Sequence, residues 1–184
     1  MSVFFILILK TRSSFSNVKD GDIMAKKELL AGKKVLIVDD EPDILETLSS
    51  LLSMCEVVTA STFEEAKKAF ESQAFDLAIL DIMGVKGYEL LEIAKERKVT
   101  PVMLTAHALS VEETKKSYLK GAALYVPKDE MVNIVTLLED VLEAGGAGKS
   151  TWSRWMDRLG WYYDNRFGPD WKDSDKEFWD KILK

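Results

Sequence analysis

Phe75-Asp76-Leu77-Ala78-Ile79-Leu80-Asp81, followed by Ile82-Met83-Gly84-Val85-Lys86-Gly87, decides how the rest of this chain folds. Leu77 to Leu80 is an unbroken apolar run of strand length, the pattern of a strand buried on both faces in a parallel sheet. The run ends on a carboxylate, Asp81. In open α/β sheets ligands bind outside the carboxyl ends of the strands, at the point where the strand order reverses, so a carboxylate there faces a crevice. A turn residue or a helix cap would look the same from this strand alone. The other strand ends have to decide.

Outward from this stretch the pattern repeats. Val35-Leu36-Ile37-Val38 is a second buried-strand run, and it also ends on carboxylates, Asp39 and Asp40. Pro42 suits the first turn of a helix, where its missing N–H costs nothing, and Ile44, Leu45, Leu48, Leu51 and Leu52 then recur at helical spacing. Glu56-Val57-Val58-Thr59-Ala60 is a short strand. Ser61 or Thr62 caps the next helix, with Glu64 and Glu65 in its first turn, where they complement the helix dipole. Residues 87–97 form a helix bearing Leu90, Leu91 and Ala94, and Pro101-Val102-Met103-Leu104-Thr105 is a fourth strand. Ser110 and Glu113 make a capping box for a helix that Gly121 closes. A fifth strand over 122–126 and a fifth helix over 131–144 complete the series.

Five strands alternating with five helices predict an α/β fold, a doubly wound parallel sheet covered on both faces. Right-handed crossovers leave few strand orders. The flavodoxin-like order 2-1-3-4-5 is expected, because it sets the ends of strands one and three side by side at the switch point. Asp39, Asp40 and Asp81 then share one crevice. Carboxylates so close raise one another's pKa unless a cation sits among them, and a hard divalent ion with oxygen ligands, magnesium, is the natural occupant. Thr105 ends strand four and Lys128 follows strand five, so both can point into the crevice. That set is equipped for phosphoryl transfer to a carboxylate.

Composition agrees. The 184 residues are 47% hydrophobic and 30% charged, enough for one ordinary domain and an appendage. A net charge of −6 argues against nucleic-acid binding as the main activity. The single cysteine, Cys55, excludes an internal disulfide framework and suits a reducing, cytoplasmic compartment. With one histidine besides, a zinc site has almost no ligands to use. Val3-Phe4-Phe5-Ile6-Leu7-Ile8-Leu9 is too short to span a bilayer and lacks the basic lead of a signal peptide. Met24-Ala25-Lys26-Lys27 reads like a second beginning, so residues 1–23 are expected to be a disordered or mis-annotated extension, and no membrane partner is expected.

Asp39-Asp40, Asp81, Thr105 and Lys128, in this order on these strand ends, resemble the receiver domain of two-component response regulators. The resemblance covers about residues 33–144, and the domain is expected to span 24–144. It implies that Asp81 accepts a phosphoryl group from a histidine kinase or phosphotransfer protein. It further implies that Asp39, Asp40, Asp81 and the backbone carbonyl of Met83 hold Mg2+ and that Lys128 pairs with the phosphoryl oxygens. Thr105 is similar to the family's switch hydroxyl, Tyr125 to the aromatic that changes rotamer with it, and Ala106 to the small residue giving access to the site. Lys128 and Thr105 are expected to act after transfer and not in folding. A homodimer through the helix 4, strand 5, helix 5 face is compatible with the resemblance. Two positions depart from the family pattern: the loop after Asp81 has no proline and carries its glycine, Gly87, six residues on, and Asp129 stands where a proline usually follows the lysine.

Three lesser signals read more simply. Gly145-Gly146-Ala147-Gly148-Lys149-Ser150 imitates a phosphate-binding loop, but Glu143 stands where the first glycine belongs and a helix precedes it. Residues 145–150 are therefore expected to be a flexible linker. His107 is a loop histidine beside Thr105, and Cys55 is a core residue.

The remaining segment, 151–184, carries all five tryptophans. Trp152, Trp155, Met156 and Leu159 share one face of a helix, and Ser174 with Glu177 suggests a capping box for a second. Gly168-Pro169 marks a turn between them. No basic recognition helix is present, so DNA is not expected as a partner. The tail is too small to hold a core of its own; Trp152, Trp155 and Trp161 are expected to dock on the receiver surface of about residues 101–144 in one phosphorylation state and to be released or handed to an unknown downstream protein in the other, since such aromatics are typical binding anchors. The whole reads as a phosphoacceptor response regulator signalling through protein contacts, and not as an enzyme beyond its own phosphotransfer and autodephosphorylation. The alternative is a phosphorylation-independent pseudo-receiver scaffold that binds through its tail.

Overall fold

Leu77, Ala78, Ile79 and Leu80 are each 0% exposed, so the apolar run is a strand sealed on both faces. The structure, a computed structural model, describes residues 29–105, 110–147 and 151–183. The extension 1–23, Ala106, His107 and residues 148–150 lie outside the described residues. Strands β1 (Lys34–Val38), β2 (Glu56–Ala60), β3 (Leu77–Asp81), β4 (Thr100–Thr105) and β5 (Leu124–Pro127) form one parallel sheet. Their order is β2-β1-β3-β4-β5, as the sequence predicts.

Register does the positioning. Val38 pairs with Leu80, so Asp39, the next residue, lies level with Asp81. Asp81 pairs with Leu104, and Thr105 with Pro127, so Thr105 and Lys128 sit one step beyond on the neighbouring strands. Helices α1 (Pro42–Leu51), α2 (Phe63–Ser72), α3 (Gly87–Glu96), α4 (Val111–Lys120) and α5 (Ile134–Ala147) cover the sheet. Local chemistry fixes their starts. Thr62 accepts from the Glu65 N–H at 3.2 Å and Ser110 from the Glu113 N–H at 3.0 Å. Gly121 closes α4 with φ +90°, a left-handed conformation that glycine adopts without steric cost. Cys55 packs against the core and donates its thiol to the Leu30 carbonyl at 3.3 Å.

Past the sheet the structure corrects three expectations. The linker expected over 145–150 is helical in its first half, since α5 runs on to Ala147. Two glycines in a last turn cost about 1 kcal/mol each, but Ala144 is buried and Arg154 ties Glu143 to the next helix, which holds that turn in place. The second tail helix is capped by Asp175, which accepts from the Phe178 N–H at 3.3 Å, and not by Ser174, whose hydroxyl donates to the Trp171 carbonyl. The third concerns the docking aromatics.

The tail consists of α6 (Thr151–Phe167), a 3-10 turn (Trp171–Asp175) and α7 (Lys176–Ile182). Trp152, Trp155, Leu159 and Tyr163 are buried at offsets of 3, 4 and 4 along α6, one helical face. Trp161 belongs to another face. It is half-buried, and its indole N–H has no hydrogen-bond partner among the described residues. Tyr163, Trp171 and Trp179 take the place expected for it, packing ring against ring with centroids 4.8 to 5.1 Å apart. The tail lies along the free edge of the sheet. Trp152 Nε1 donates to the Ala122 carbonyl at 3.1 Å and Trp155 Nε1 to the Tyr125 carbonyl at 2.8 Å. Such capping covers the unpaired main-chain groups that make an edge strand prone to association. Ion pairs flank it: Arg158 with Asp140 at 3.0 Å, and Lys115 with Asp175. The face formed by α4, β5 and α5 is thus occupied by the chain itself, and a homodimer through it would require the tail to leave.

Candidate functional site

The ammonium of Lys128 is the centre of the site. It lies 2.7 Å from Asp39 Oδ2, 3.1 Å from Asp81 Oδ1 and 2.7 Å from Glu41 Oε1. Three strands deliver these groups: Asp39 follows β1, Asp81 ends β3 and Lys128 follows β5. Asp39 and Asp81 are 0% and 3% exposed. Burial raises both their pKa values above the ordinary aspartate range, with Lys128 working against it; for Asp81 the charges of Asp39 and Asp40 add to the rise. Burial pulls Lys128 down, but its hydrogen bonds to Asp39 and Glu41 and the charge of Asp81 outweigh this, so it stays firmly protonated.

The two buried carboxylates are not equivalent. Asp39 uses both oxygens, Oδ1 accepting from the Glu41 N–H at 3.0 Å while Oδ2 meets Lys128. Asp81 is held only through Oδ1, and its Oδ2 has no hydrogen bond among the described residues. Asp40, the third carboxylate, is exposed at the rim. The short loop after β3 is shaped by both neighbours. A Cβ at Gly84 would overlap the Asp40 carboxylate, and Gly84 has φ +42°; a Cβ at Gly87 would overlap the Asp81 carbonyl. The backbone contact leaves room only for glycine at Gly87, while at Gly84 it is the left-handed φ that favours glycine. Met83, 66% exposed, forms the lip, and its carbonyl accepts from the Val85 N–H.

Thr105 is buried at the end of β4, and its side chain is hydrogen-bonded to the hydroxyl of Tyr125, itself 1% exposed. The structure therefore brings Asp39, Asp81, Lys128, Thr105 and Tyr125 together, with Asp40 and Met83 on the rim. Sequence reasoning missed Glu41. Its signal was its place directly after the acidic pair, one residue ahead of Pro42 at the helix start.

Among the described residues, no three Asp, Glu, His or Cys side chains gather around one point in the way a bound metal requires. Lys128 stands between Asp39 and Asp81 as their counter-charge. The donor set fits a hard divalent ion in kind: all oxygen, two carboxylates buried and raised in proton affinity, a third beside them. No helix among the described residues is long and apolar enough to cross a membrane.

Known proteins share this arrangement. The family model described as the response regulator receiver domain matches residues 35–139. The heme response regulator HssR of Staphylococcus saprophyticus is 36% identical over 97 residues, 50% of this chain and 43% of that protein. The probable transcriptional regulator ycf27 of Guillardia theta is 48% identical over 84 residues, 43% of this chain and 33% of that protein. This chain thus spans less than half the length of these curated relatives. Among solved structures, a CheY-like response regulator receiver domain protein from Methanospirillum hungatei superposes with a TM-score of 0.53 at 30% identity, covering 63% of this chain and all of that one. The BeF3-activated DrrB receiver domain superposes with a TM-score of 0.52 at 28% identity, covering 61% of this chain and 98% of that one. Since ycf27 is named a transcriptional regulator, the expectation that DNA is no partner finds no support among the relatives. The matched region takes in the strand ends that carry Asp39, Asp81, Thr105 and Lys128, and with it the chain belongs to the response regulator receiver domain family of two-component systems.

Proposed function

We propose that Asp81 is the phosphoacceptor of a response regulator that signals by phosphorylation-dependent protein contacts. The observation that carries this is the asymmetry of the two buried carboxylates around Lys128. Asp39 has both oxygens engaged, whereas Asp81 keeps Oδ2 for an incoming phosphorus. A histidine kinase or phosphotransfer protein is the phosphodonor, and its access is across the lip formed by Met83. Asp39, Asp40, Asp81 and the Met83 carbonyl would hold Mg2+, which when bound neutralises charge on the phosphoryl oxygens. Lys128 is within reach to exchange a carboxylate for a phosphoryl oxygen as charge builds on it, and Thr105 to donate a hydrogen bond to another. Tyr125 reports the state of Thr105. The receiver spans 24–144, the tail 151–184, and the setting is cytoplasmic. The protein is a signalling component whose only chemistry is its own phosphotransfer and dephosphorylation.

The test is magnesium-dependent labelling with acetyl phosphate, followed by intact mass. The wild type should gain one phosphoryl group, Asp81→Asn none, and Asp40→Ala a reduced fraction. Unchanged labelling of Asp81→Asn would overturn the assignment.

A further inference from the structure

The tail touches the candidate switch at two places. Trp155 donates its indole N–H to the carbonyl of Tyr125 at 2.8 Å, and the hydroxyl of that same Tyr125 is hydrogen-bonded to Thr105. Eight residues along the same face of α6, the Tyr163 hydroxyl shares a 2.7 Å buried hydrogen bond with Thr114 Oγ1 in the first turn of α4. Trp155 and Tyr163 are 1% and 0% exposed. Trp152 and Trp155 lie along the outer edge of β5, bonded to the main chain just before and within that strand, and Trp155 and Tyr163 pack ring against ring.

We infer that Trp155 and Tyr163 are positioning residues for the phosphoacceptor site: the docked tail holds Tyr125 inward against Thr105 and fixes the start of α4, and so favours the arrangement that binds a phosphoryl group. Thr105 and Tyr125 share a hydrogen bond, so whatever holds the Tyr125 ring also holds the Thr105 hydroxyl, one step beyond Asp81 on the neighbouring strand. Tail docking and phosphoryl binding are therefore linked, and the linkage is reciprocal: whatever factor the tail contributes to phosphoryl affinity, a phosphoryl group returns to tail docking. On this inference phosphorylation clamps the tail and does not release it. The inference rests on Asp81 being the acceptor.

The experiment uses the full chain with magnesium and beryllofluoride as the phosphoryl mimic. Trp155→Phe keeps a ring and removes the indole donor, Tyr163→Phe removes the hydroxyl, and Trp152→Asp displaces the tail outright. Calorimetry should give a Kd for the mimic weakened roughly fivefold or more in each variant, the scale of one lost buried hydrogen bond or a typical coupling. All five tryptophans lie in the tail, so iodide quenching of wild-type fluorescence should fall when the mimic binds. Urea unfolding followed by circular dichroism checks that each variant keeps a folded receiver; if Trp155→Phe does not, Tyr163→Phe carries the test. Unchanged or tighter mimic binding in variants whose quenching shows a displaced tail would overturn the inference, as would a mimic-induced rise in wild-type quenching. Tryptophans that stay protected in Trp152→Asp would also overturn it, by showing that the docked face is not the one described. Failure of the underlying assignment looks different: Asp81→Asn would then bind the mimic as well as the wild type.

Discussion

Lys128 has the most demanding position of any residue here. Its side chain is 8% exposed and its ammonium lies between two carboxylates buried still deeper. The sequence suggests a residue needed after phosphoryl transfer, with little part in folding, and the geometry argues otherwise. Removing the cation leaves Asp39 and Asp81 facing each other with no counter-charge, and breaking a buried pair costs several kcal/mol because the remaining charge is stranded. Lys128→Ala is therefore expected to lose about 3 kcal/mol of stability in magnesium-free buffer. Magnesium should return part of that loss, since a ligand that binds only the folded state stabilises it by mass action. Urea unfolding with and without magnesium checks both halves. The same variant should still fold at low temperature, where its failure to couple labelling to any change in tryptophan emission can be read separately.

At the scale of elements, α6 is the informative one. Helical periodicity separates its aromatics: Trp152, Trp155 and Tyr163 share a face, whereas Trp161 lies off it. Reading tryptophans by type groups Trp161 with the docking residues. Reading them by angle does not. Trp155→Ala should destabilise the docked tail by about 3–5 kcal/mol, the usual cost of emptying a buried tryptophan site. Trp161→Ala should cost about 1 kcal/mol or less, as at a partly exposed position. Hydrogen exchange of the α6 amides measures both, and equal losses would show that the face is wrongly assigned. The caps teach a similar lesson. The Ser110–Glu113 signature marks the start of α4 correctly, but Ser174–Glu177 misplaces the start of α7 because Asp175, one residue on, is pulled to the cap while it also pairs with Lys115 on α4.

For the whole molecule, the tail changes what the receiver presents. The indoles of Trp152 and Trp155 cap the main chain at Ala122 and Tyr125, and α4, β5 and α5 are covered by α6 and α7. An edge strand without such cover is a template for association. Wild-type protein is therefore expected to stay monomeric over a broad concentration range, and Trp152→Asp to self-associate, both measured by light scattering. A wild-type dimer that persists on dilution would place the dimer contact elsewhere on the surface.

The sequence alone determined the sheet and its strand ends. Unbroken apolar runs can be satisfied only by strands buried on both faces, and the register of parallel strands then forces Asp39, Asp81, Thr105 and Lys128 to one end. Local signals at Thr62, Ser110 and Gly121 fixed helix boundaries because each acts within a few residues of itself. Only the tertiary structure decided how Lys128 is shared between Asp39 and Asp81, that Glu41 joins it, that Gly87 packs against the Asp81 carbonyl, and which tail aromatics are buried. Those outcomes depend on groups brought together from distant parts of the chain, and the periodicity of one segment carries no record of what another segment will place against it.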